Sequence, residues 1–258
     1  MERLADNKPS GIHRQTLRIW GFVFLTLGIL GRGVLQNRYL QLETVTAQEL
    51  LAIMSASGTA MAVATAALVM QAIETCAVPV FAFLLVEGFT HSTSRKKYFL
   101  RVLGLAVVSE IPYNLAISGK LLDTGSRNPV FALALCLILM YFWNRFDRKD
   151  FPGRLLRFFV TAAAVFWAGM LKLDQGVPLV VITGLLWALR GKPQLRTLVG
   201  SVGAMACSIF SPFYMASAMG FLPIHLYNGE PGEGNKPVYY AAYPALLLIV
   251  ALAGYALF

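Results

Sequence analysis

The sequence predicts an all-α, polytopic transmembrane helical bundle of about eight spans with both termini cytoplasmic, and three observations carry that prediction. Hydrophobic residues make up 57% of the chain against 14% charged, and the mean hydropathy is +0.62, far from the balance of a soluble domain. Apolar runs recur near the length of about 20 residues that crosses about 30 Å of hydrocarbon. Short basic loops separate these runs. Apolar runs of that length are the signature of transmembrane helices.

Runs bounded by charge give spans over 17–36, 58–90, 99–117, 129–144, 156–171, 176–190, 197–219 and 238–258. The first follows a polar segment, residues 1–16, which lacks the apolar core and small-residue cleavage site of a secretory leader and is expected to stay cytoplasmic. Segment 46–57, TAQELLAIMSAS, reads as an amphipathic surface helix. The second run exceeds a simple crossing, and either a kink at Pro79 or an interfacial start accounts for the excess. Residues 221–237, FLPIHLYNGEPGEGNKP, read as a turn-rich extracytoplasmic loop. No repeat or soluble domain interrupts the pattern, so residues 1–258 form a single integral membrane domain.

The net charge of +9 is distributed among short loops and not gathered into a stripe, which points to orientation and away from nucleic acid. One set of loops holds Arg3, Lys8, Arg14 and Arg18, then Arg95, Lys96, Lys97 and Arg101, then Arg145 to Arg157, then Arg190 to Arg196. The alternate loops hold only Arg38, Lys120, Arg127, Lys172 and Lys236, so the first set faces the cytoplasm. Cys76, Cys136 and Cys207 lie in or beside apolar runs with no metal-ligand spacing and read as small core residues; no metal is expected.

Charged and polar residues within apolar sequence need a partner or a function. Glu87 and His91 are four residues apart and share a helix face, so they are a candidate base pair, histidine for proton transfer and glutamate to orient it. Arg95, Lys96, Lys97 and Arg101 follow and suit phosphate groups; the bland alternative is an internal ion pair followed by a topogenic basic run. Glu110, Tyr113 and Asn114 flank Pro112, where the helix loses a backbone hydrogen bond, and with Asn128 they form either a substrate-lining patch or a helix-packing network. Arg32 and Glu74 each would cost about 2.5 to 3.5 kcal/mol alone at mid-depth, and mutual pairing removes that cost. Asp174, in LKLDQG, reads as part of a solvated turn.

The segments VPVFAFLLVEGFTHSTSRKKYFLRV, SEIPYNLA, RNPVF, LDQGV, IHLYNGEPG and VYYAAYP, in that order over residues 75–258, resemble the TraX family of bacterial membrane proteins. The resemblance implies an acyltransferase of the bacterial cytoplasmic membrane, with acetyl-CoA as donor and the amine or hydroxyl of a membrane-delivered acceptor such as pilin as target. Glu87, His91, Arg101, Glu110, Asn114, Asn128, Asp174 and Tyr243 match its pattern. Where the family usually has Asp-His in its first span, this chain has Gly31-Arg32; Thr75 replaces an arginine, and Ala245-Leu246 replaces a late histidine. Arg32 and Glu74 thus invert the family's acid-in-first-span, base-in-second arrangement. Two other readings stand beside the enzyme: a noncatalytic membrane assembly protein on the same fold, and a small-solute transporter using Glu87 and Glu110.

Overall fold

The computed structural model describes residues 11–42, 57–146, 150–232 and 236–257, together with 46, 48, 51, 52 and 55. Most of the expected polar segment over 1–16, and much of the expected surface helix over 46–57, lies outside the described residues. Helices are α1 (Arg14–Ile29, continued as a π-helix over Leu30–Tyr39), α2 (Gly58–Glu74), α3 (Ala77–Thr90), α4 (Arg95–Ile117), α5 (Val130–Arg145), α6 (Phe151–Met170), α7 (Gly176–Ala188), α8 (Pro193–Ala206), α9 (Phe221–His225) and α10 (Lys236–Leu257). Among the described residues five stretches, Arg14–Tyr39, Gly58–Thr90, Arg95–Ile117, Phe151–Met170 and Val238–Leu257, are long and apolar enough to cross a bilayer, and α5 and α7 are shorter apolar helices. The chain is an all-helical integral membrane protein.

Local chemistry sets the helix starts. The side chains of Ser57, Ser94 and Asp150 accept hydrogen bonds from the N–H groups of Ala60, Lys97 and Gly153, capping α2, α4 and α6. Within the long second run the helix breaks at Thr75 and Cys76. Pro79 falls in the first turn of α3, where its missing N–H leaves no bond unmade, so the proline marks a restart and not a mid-helix kink.

The two short helices begin inside the bundle. Asn128 donates through Nδ2 to the Ala106 carbonyl halfway along α4 (2.7 Å), while its Oδ1 accepts from the Val130 N–H (2.8 Å) and so caps α5. The loop before α5 pairs with the loop before α7: the Arg127 N–H donates to Lys172 O at 2.9 Å and the Asp174 N–H to Arg127 O at 2.8 Å. Both loops therefore enter the bundle from the end opposite Arg14.

Residues 197–219, expected as a span, form a re-entrant hairpin instead. α8 enters, a 3-10 turn (Cys207–Ile209) ends it, and a 3-10 helix (Pro212–Gly220) with α9 returns. The two arms meet again where Thr197 Oγ1 lies 3.3 Å from His225 Nδ1. The returning 3-10 helix fills the α2–α3 break: Thr75 Oγ1 donates to Phe213 O (3.0 Å) and Cys76 Sγ to Ala216 O (3.1 Å). Those side chains satisfy carbonyls of irregular backbone, which is tolerated at membrane depth only against protein.

The hairpin also reverses two topological expectations. The loop after α9, expected to be extracytoplasmic, lies at the Arg14 end: the Ile12 N–H donates to Leu226 O (2.9 Å), the Asn228 N–H to Ile12 O (3.1 Å), and His13 pairs with Glu230 (3.1 Å). α10 starts at that end, with Arg18 over the Tyr239 ring at 4.9 Å, and finishes at the other, with Arg38 over Tyr255 at 3.8 Å and Tyr255 Oη donating to Gly119 O at 2.8 Å. The described ends of the chain therefore lie at opposite ends of the bundle, in place of eight spans with both termini on one side.

Candidate functional site

A cavity of about 410 Å³ opens at the arginine-rich end between α1, α3, α4 and α10. Arg14, Arg18, His91 and Arg101 stand at its rim, Leu25, Leu84, Leu85, Val102, Leu105 and Leu133 line its shaft, and Pro129, Gln175 and Tyr243 close its inner end. Volume and lining suit a small-molecule site, largely apolar with polar groups at fixed positions. Gly88 of the E-G-F motif has a packing reason: a Cβ there would lie 2.6 Å from Tyr98 Oη, another lining residue.

Beyond the inner end lies a charged cluster in which Glu74 is buried and Arg32 and Asp174 are partly buried. Arg32, in the π-helical part of the first helix, donates to Glu74 Oε1 at 2.6 Å and to Asp174 Oδ2 at 2.9 Å. Tyr113 Oη also donates to Asp174 Oδ2 (2.8 Å), and Gln175 Nε2 to Glu74 Oε1 (3.0 Å). The π-helix widens the turn around Arg32, and Gly28 makes room for the carboxylate, since a Cβ there would collide with Glu74. The pairing of Arg32 with Glu74 follows the sequence expectation. Asp174 does not: its loop turns inward, and its side chain serves as the second carboxylate on Arg32 instead of facing solvent.

The predicted site residues divide between these regions. His91 is at the rim, its Nδ1 2.9 Å from Glu87 O and 3.6 Å from Glu87 Oε2. The Glu87 carboxylate lies outside the cavity and takes a hydrogen bond from Arg14 at 3.4 Å, and Arg14 also donates to Tyr227 Oη at 3.3 Å. Burial pushes the Tyr227 phenol up, so it stays neutral and accepts that bond. Of the predicted basic residues Arg101 lines the cavity, Arg95 stacks over Phe89 at 4.7 Å, and Lys96 and Lys97 are exposed away from it.

Glu110, Tyr113, Asn114 and Asn128 are absent from the cavity lining and join α4 to the inward loops. Glu110 accepts from the Asn128 N–H at 3.1 Å and pairs with Arg127 at 3.5 Å, and Asn114 Nδ2 donates to Leu121 O at 3.4 Å. Sequence reasoning missed Arg14 and Arg18 as rim residues, because their charges serve orientation equally well. Gln175 carried no signal, being neutral and held by a positive φ of 53° that only the fold reveals. No group of three or more His, Cys, Asp or Glu suited to a metal occurs among the described residues.

Comparison with known proteins places this chain in a family. The chain is 24% identical over 198 residues to the probable fimbrial assembly protein FimC, serogroup H1, of Dichelobacter nodosus, covering 68% of this chain and 78% of that protein. No solved structure matches it. The family model described as TraX protein matches residues 38–253, so this chain belongs to the TraX family.

Proposed function

We propose that this protein is a membrane acyltransferase of pilus assembly, moving an acetyl group from acetyl-CoA to an amine or hydroxyl of a membrane-delivered acceptor such as a pilin subunit. The observation that carries the reading is the order of chemistry along the cavity: guanidinium groups and His91 at the mouth, an apolar shaft, and Gln175 and Tyr243 at the inner end beside the Arg32 cluster. That order fits a donor with phosphates at one end and a thioester at the other. The mouth faces the cytoplasm by the excess of Lys and Arg at its end of the bundle, in the bacterial cytoplasmic membrane.

In this reading Arg14, Arg18 and Arg101 attract the phosphates. Neutral leucines and valines hold the linker and exclude water. Transfer takes place at the inner end, where the acceptor nitrogen or oxygen bonds to the carbonyl carbon, the C–S bond breaks, and the acceptor's proton goes to the departing thiolate. We assign Asp174, whose chain neighbour Gln175 lines the cavity, to pass that proton. His91 then belongs to phosphate binding at the rim, and Glu87 holds Arg14 in place beside it.

The test is release of free CoA from acetyl-CoA by protein in nanodiscs supplied with an acceptor peptide. Arg18→Ala and Arg101→Ala should each raise KM about tenfold with kcat nearly unchanged, the signature of lost donor binding. Asp174→Asn should abolish release while His91→Ala mainly raises KM; the reverse result would return the chemistry to the rim. A second reading, a noncatalytic assembly protein, draws on the fimbrial name of the relative and on the Gly31-Arg32 pair. Wild-type protein that neither releases nor binds CoA thioesters would establish it over the enzyme.

A further inference from the structure

Tyr243 stands out among the residues of the inner end. It is 4% exposed, its hydroxyl has no hydrogen-bond partner among the described residues, and it lines the cavity. A buried hydroxyl left unpaired costs about 1 to 3 kcal/mol, and phenylalanine would fill the same volume without that cost. Tyr239, Tyr240 and Tyr243 form one face of α10, and all three line the cavity, two near its mouth and Tyr243 at its base. Gln175, the neighbouring polar group, is already directed by its amide toward Glu74. No described residue supplies an acceptor for this hydroxyl, and the cavity that Tyr243 lines is where one can be brought in.

We propose that the Tyr243 hydroxyl donates a hydrogen bond to the carbonyl oxygen of a short-chain acyl thioester and holds the oxyanion that develops there during transfer, a role that rests on the acyltransferase reading above. The tyrosine keeps its own proton throughout. The new bond runs from the acceptor to the carbonyl carbon, the bond lost is C–S, and the oxyanion collapses back to a carbonyl as the thiolate leaves. Pro129 and Gln175 close the space around the same point, so an acetyl group fits and a long acyl chain does not.

The experiment compares wild type with Tyr243→Phe in nanodiscs, reading CoA release from acetyl-CoA and octanoyl-CoA, affinities for acetyl-CoA and free CoA, and the melting temperature. Loss of one oxyanion donor should lower kcat roughly 100- to 1,000-fold, and the preference for acetyl-CoA over CoA should fall about three- to tenfold. The variant should melt no lower than wild type, because the group removed is unsatisfied. Wild type should turn over octanoyl-CoA poorly. Unchanged kcat and unchanged preference in Tyr243→Phe would overturn the inference while leaving the acyltransferase intact, as expected if only water occupies the site. Wild type binding neither ligand would remove the acyltransferase reading itself. Should the variant melt lower, the ratio of the two affinities still decides, since unfolding affects both alike.

Discussion

Arg32 holds two carboxylates at once, and this determines how the buried cluster responds to mutation. Removing the guanidinium in Arg32→Met leaves Glu74 and Asp174 close together with no cation between them, and breaking a buried pair in this way costs about 3 to 5 kcal/mol. Glu74→Gln keeps a hydrogen-bond acceptor for Arg32 and leaves the pair with Asp174, so its cost should be about 1 kcal/mol. Thermal melting in detergent should order the variants accordingly. The double exchange Arg32→Glu with Glu74→Arg appears sound when only those two residues are considered, but it places a new carboxylate against Asp174. Recovery of wild-type melting by the exchange alone would show that Asp174 contributes little; we expect recovery only when Asp174→Asn is added.

At the scale of elements, the contact between the hairpin and the α2–α3 break sets the inner architecture. A Cβ at Gly220 would collide with the Cys76 carbonyl and come within 2.6 Å of Pro79 Cγ. Neither is the flexible end of a side chain, so Gly220→Ala should cost about 1 to 3 kcal/mol. Hydrogen exchange should rise first in residues 207–225, with α4 and α10 unchanged; uniform loss of protection would contradict a separable hairpin. Hydropathy could locate the long helices and the paired charges, because lipid forces apolar length and forces Arg32 to find an anion. It could not separate a run that crosses from one that enters and returns, since both are apolar over 197–219. Ser211 and Pro212 in the middle of that run were the available signal. LKLDQG was legible as a turn, but the direction of that turn depends on its pairing with Arg127, a contact between residues far apart in sequence.

For the whole molecule, the hairpin changes the parity of the crossings and hence which surfaces share a compartment. The positive-inside pattern accommodates the change, since the loop after α9 joins the end that already carries most of the arginines, and Arg38, Lys120, Arg127 and Lys172 remain at the other. Cys76, Cys136 and Cys207 are free and buried, so a background with all three replaced by alanine permits single-cysteine labelling. Thr93, Leu121, Pro231 and Leu257 are exposed in the structure. With a membrane-impermeant maleimide added to intact spheroplasts, Leu121→Cys and Leu257→Cys should label, and Thr93→Cys and Pro231→Cys should label only after the membrane is opened. Eight complete spans would instead place Pro231 with Leu121 and Leu257 with Thr93. The two arrangements thus make opposite statements about two positions, and labelling of Pro231→Cys in sealed spheroplasts would rule out the re-entrant hairpin together with the Arg14–Tyr227 contact it builds.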